Sequence, residues 1–129
     1  MTTRNQAVKS LRSEILADAI QTNPNQLFQD NTLRPILKFQ NNIINLLFRE
    51  YLTINKVNFE NLTKTQRNQQ IEQSLKKNQN IQTLLKGIVI ALFDESELDF
   101  WVSNKDEVNK RIQQLLIRRI QQSFEIHTV

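Results

Sequence analysis

Residues 84–101 read LLKGIVIALFDESELDFW, and the only glycine of the 129-residue chain sits inside this most apolar run, a few residues before a group of carboxylates. Composition by itself leaves a short apolar run open between a buried strand and a buried helix. Three features of the sequence choose helix: the length of the run over 81–93, its helix-compatible Leu84-Leu85-Lys86, and the lack of any neighbouring segment that would pair with it as a hairpin. A helix apolar on nearly every side belongs at the centre of a bundle or in an interface between subunits. Gly87 then reads as a point of close helix packing, where a missing side chain lets a neighbour approach at the expense of about 1 kcal/mol of helix propensity.

The rest of the chain agrees with an all-α fold. One glycine and two prolines supply almost none of the tight turns that a β domain needs every few residues. Thr3 with Gln6, and Thr63 with Gln66, have the spacing of capping boxes, in which each side chain satisfies the other residue's backbone N–H at a helix start. The first box opens a helix expected to run to about residue 21, along Ala7, Val8, Leu11, Ile15, Leu16, Ala19 and Ile20, until Asn23-Pro24 stops it. Asp30, Asn31 and Thr32 are three successive N-cap candidates for a second helix over 33–53, with Pro35 in its first turn. Its apolar positions cover well over half the circumference, so it should have partners on more than one side.

Residues 54–62 form a connection tacked down by Val57, Phe59 and Leu62, and the helix opened by Thr63 is polar with Ile71 and Leu75 as anchors. Asn80 is placed to cap the apolar helix over 81–93. Asp94 with Glu97 starts a short helix through Leu98, Phe100, Trp101 and Val102, and Asp106 and Glu107 lie in the first turn of a last helix over 105–124. The expectation is one domain over 1–129, an all-α bundle of four to five helices with a central apolar helix, and residues 125–129 as a tail.

Several function classes lose support. There is no cysteine, so disulfides, thiolate nucleophiles and cysteine-ligated metals are out, and the single histidine, His127, is at the end of the chain. Asp94, Glu95, Glu97, Asp99, Asp106 and Glu107 match neither a calcium-binding loop nor a di-iron helix pair, and two helix starts account for most of them. We therefore expect no enzyme, no metal and no cofactor. No run is long enough to span a membrane and no signal-like segment is visible, which points to the cytoplasm.

Two readings from different classes remain. The first is a non-enzymatic protein-protein interaction or assembly module, homodimeric and able to engage another protein, with Leu98, Phe100, Trp101 and Val102 as apolar anchors and Asp94 and Glu95 as their acidic rim. The second follows from the net charge of +4 and a pI near 9.6: a small nucleic-acid-binding regulator using Arg34, Lys38, Asn41, Asn45 and Arg49 on one helix. Two charges sit oddly in either case. Arg119 falls inside the apolar stripe of the last helix and Glu50 on the apolar side of the second, as expected of side chains that snorkel to water or pair across an interface.

Overall fold

The structure is a computed structural model that describes residues 3–12 and 23–127, with side chains to residue 125. It is all-α, and among the described residues there is no strand. Helix α1 spans Arg4–Ser10, α2 Pro24–Phe28, α3 Arg34–Phe39, α4 Asn41–Ile54, α5 Lys64–Lys77, α6 Gln79–Ile90, α7 Glu95–Ser103 and α8 Lys105–His127. A π-helical turn over Gln29–Leu33 joins α2 to α3 without leaving helical backbone angles, so these three segments are one rod and the described residues hold seven rods. A single 3₁₀ turn, Phe59–Asn61, lies in the connection before α5.

The caps that sequence spacing implies are present at Thr3, Thr63 and Asp94, each with its reciprocal bond to the residue three positions on. Elsewhere the chain departs from expectation for identifiable reasons. Asp30, Asn31 and Thr32 do not start a helix, because Asn23 caps the rod earlier, accepting hydrogen bonds from the Asn25 and Gln26 N–H groups, with Pro24 at the first helical position. Pro35 is thus inside a helix, where its ring crowds the carbonyl four residues back. The π turn immediately before it widens the helix there, and the Arg34 N–H reaches back five residues to the Gln29 carbonyl. Asn78, not Asn80, caps α6, because Asn78 is the residue with extended backbone between α5 and α6.

The first helix is described only from Arg4 to Ser10, and the expected continuation along Ile15 to Ile20 lies outside the described residues. The expected tail is helical through residue 127, since α8 runs on past Phe124.

Helix α8 is the element on which α4, α5, α6, α7 and the π turn all pack. Its Val108, Ile112, Leu116, Ile120 and Phe124 are buried against Ile44, Phe48, Leu52, Ile71, Leu75, Leu85 and Val89. Helix α6 contributes Ile81, Leu85 and Val89 to this core and Phe93 follows it, but the opposite side of α6 faces water, with Leu84 47% exposed. Val57, Phe59 and Leu62 pin the connection to the core as their spacing implies. A Schellman turn closes α4: the Val57 N–H donates to the Leu52 carbonyl and the Lys56 N–H to the Thr53 carbonyl, with Lys56 at φ 55°.

Candidate functional site

The carboxylates after the apolar run hold the α6–α7 junction together. The Asp94 side chain is buried, accepts from the Glu97 N–H at 2.8 Å and the Ser96 hydroxyl at 2.9 Å, and lies 3.3 Å from Lys9 Nζ. Burial alone raises the Asp94 pKa, but these hydrogen bonds and the lysine together outweigh it and leave the carboxyl below its ordinary value. Glu97 is paired with Arg12 and accepts from the Thr32 hydroxyl. Arg4 donates to the Phe93 and Ala91 carbonyls at 2.7 and 2.8 Å, satisfying acceptors at the end of α6, and the Asn5 side chain accepts from the Glu95 N–H. Helix α1 therefore clamps this junction through side chains.

The apolar patch read in the sequence is divided by these contacts. Phe100 stacks on Phe28 at 4.6 Å, and the Trp101 indole donates to Asn109 with Lys105 5.0 Å above its ring, so both aromatics are half-buried against the core. Asp94 is inside its cap and Glu95 is exposed. Only Leu98 and Val102, one turn apart on α7, present large apolar side chains to solvent.

The basic strip is divided too. Arg34 pairs with Asp30 at 3.1 Å, Arg49 lies 4.3 Å over the Phe124 ring, and Asn45 is buried with its Nδ2 donating to the Asn41 carbonyl and its Oδ1 without a partner. Lys38 is exposed, and Asn41 accepts from Arg119 at 3.3 Å. Helical spacing puts these five side chains on one side of the α3–α4 segment, but that side packs on α8, through Asn41 with Arg119 and Arg49 with Phe124, so they form no open face.

Gly87 is corrected more directly. It is exposed, and a Cβ built on it would meet nothing within 4 Å, so no helix of the same chain packs closely there. It lies on the outer face of α6 with Thr83 and Ala91, four residues to either side and also exposed.

The neighbouring α3–α4 segment carries a ridge that the sequence did not single out. Phe39, Ile43, Leu46, Glu50 and Ile54 recur at helical spacing along the outside of the α3–α4 segment, and the four apolar ones are 49%, 50%, 66% and 68% exposed. Leu84 of α6 joins them across a groove lined by Leu47, Glu50, Ile54 and Asn80. The sequence signal was present in the over-wide apolar arc of the second helix, which exceeds what one core can cover. Glu50 sits on this ridge and Arg119 at the other side of the bundle, so they do not pair.

Among the described residues no three His, Asp or Glu side chains gather where one metal ion would reach them, and no helix is long and apolar enough to cross a membrane. No protein-family model, curated protein or solved structure matches this chain.

Proposed function

We propose that this chain is a non-enzymatic helical assembly module that pairs with a second copy of itself through the outer face of α4 and α6. The observation that carries this reading is the exposed ridge of Phe39, Ile43, Leu46 and Ile54, extended by Leu84. At roughly 200 Å² for a whole residue, these five expose about 560 Å² of mostly apolar surface. That is near the upper end of about 300–600 Å² for the largest patch of an ordinary monomer. With its polar flanks the face approaches the roughly 800 Å² per partner of a standard interface.

A second copy fits this face on grounds of shape and exposed apolar area. Thr83, Gly87 and Ala91 are small exposed residues on α6, whose Leu84 borders the groove beside the ridge, so a twofold arrangement can seat the ridge of each copy against the small residues of the other. Glu50, on the ridge toward the end of α4, has no ion-pair partner among the described residues. The absence of cysteine agrees with a cytoplasmic setting for such a module.

Size-exclusion chromatography with light scattering tests the proposal. The wild-type chain should run as a dimer at low and high salt, and Leu46→Glu as a folded monomer with unchanged far-UV circular dichroism. A wild-type chain that stays monomeric at every concentration, or a dimer indifferent to Leu46→Glu, overturns it.

A further inference from the structure

On the side of α4 away from the ridge, the π turn and the start of α4 meet α8, and three arginines line the seam. The Arg111 Nη1 donates to the Gln29 Oε1 at 2.9 Å and the Arg119 Nη1 to the Asn41 Oδ1 at 3.3 Å. Arg34 lies between these two crossings in sequence and is near enough to Arg119 for its charge to act on it. Its Nε is held by Asp30 at 3.1 Å. Arg119 has no acid partner among the described residues, and one of its five N–H donors is used.

This arrangement is costly for folding. Partial removal from water, and then the Arg34 charge, lower the Arg119 pKa, which means that the charged form is disfavoured where it stands. The position belongs to the apolar stripe of α8, where a leucine would serve packing better. Arg119 is anchored on Asn41, two helical turns from Arg34 on the same side of the α3–α4 segment, and the one carboxylate paired there is that of Asp30 on Arg34; the seam thus carries excess positive charge, to which exposed Lys38, one turn beyond Arg34, adds. Planar guanidinium forks of this kind match tetrahedral oxyanions in geometry as well as charge.

We infer that Arg34 and Arg119, with Asn41 holding the Arg119 fork in place, form a binding site for a phosphate-class oxyanion. The Asp30 carboxylate orients Arg34 through its Nε and leaves the terminal nitrogens for the ligand. The phosphate belongs either to a small phosphorylated compound or to a nucleic-acid backbone, two sources with one chemistry. The site is on a different face from the α4–α6 ridge, so it stands or falls independently of the dimer.

The test uses the full chain with two probes, inorganic pyrophosphate and a short duplex oligonucleotide, at constant ionic strength set with chloride. Thermal denaturation and isothermal titration are recorded for wild type, Arg119→Leu and Arg34→Gln. Wild type should bind one or both probes, and each substitution should weaken binding by roughly ten- to a hundredfold, the loss expected for charge-assisted hydrogen bonds. Without probe, Arg119→Leu should melt at or above the wild-type temperature, a signature that a merely structural arginine would reverse. Binding of pyrophosphate alone assigns a small ligand, and binding of the oligonucleotide alone assigns a nucleic-acid backbone. No binding of either probe, or binding that both substitutions leave unchanged, overturns the site. If Arg119→Leu melts lower than wild type, Arg34→Gln decides: that side chain is 43% exposed and its replacement leaves the core untouched, so retained binding there also overturns it.

Discussion

A single guanidinium nitrogen of Arg12 bridges both carboxylate oxygens of Glu97, at 2.9 and 3.0 Å, with the two side chains only 6% and 11% exposed. The pair joins the end of the first described segment to the first turn of α7, 85 residues apart in the chain, and the Thr32 hydroxyl adds a third element. Removing one member strands the other charge in a largely dry site. Arg12→Ala should therefore cost about 3–5 kcal/mol in urea unfolding. Glu97→Ala should cost more than Arg12→Ala, because it also breaks the α7 capping box and frees the Thr32 hydroxyl.

Asp94 makes stability depend on pH in the acid range. Its folded-state pKa is depressed, so its contribution is fully present above the unfolded value of about 3.9 and is lost as pH falls through the folded value. Urea midpoints measured downward from pH 6 should hold steady to about pH 4 and then decline. Asp94→Asn should start from a lower midpoint and show a shallower decline.

Phe48 is fully buried between Tyr51 and Phe124, with ring centroids 5.6 and 6.3 Å away. Phe48→Ala should lower unfolding free energy by about 3–5 kcal/mol, the combined loss of transfer energy and of packing around the cavity.

Gly87 and Lys56 form a reversed pair. Gly87 is in the middle of a helix with open space beyond it, so Gly87→Ala should stabilise the chain by about 1 kcal/mol in urea unfolding. Lys56 occupies the left-handed position of the α4 Schellman turn, where glycine is at ease, and Lys56→Gly should gain up to about 1 kcal/mol. Gly87→Leu, by contrast, should leave the fold intact and weaken the proposed dimer, as light scattering will report.

Local chemistry was legible without coordinates wherever a helix begins with a residue that satisfies its own neighbours. Thr3, Thr63 and Asp94 cap as their spacing implies because both partners of a capping box lie within one turn. The seam of α8 was legible for a similar reason: Val108, Ile112, Leu116 and Ile120 repeat at a period that only a one-sided helix produces. Pro35 was misread because nothing nearby in sequence says that a helix has already begun; the capping by Asn23 twelve residues earlier settles that, and the π turn absorbs the proline.

The sequence by itself thus determined the all-α class, the caps and the buried stripe of α8, all set by interactions within a few residues of one another. Only the tertiary structure decided which apolar residues are left over. The α3–α4 segment has apolar side chains around most of its circumference, and α6 and α8 cover Ile44, Phe48 and Leu52 while Phe39, Ile43, Leu46 and Ile54 stay in water. Burial is a property of neighbours distant in the chain, so periodicity names the candidates and packing chooses among them. The same holds for charge: Arg12 meets Glu97, and Arg119 meets Asn41 instead of an acid, through helix crossings that no local spacing encodes.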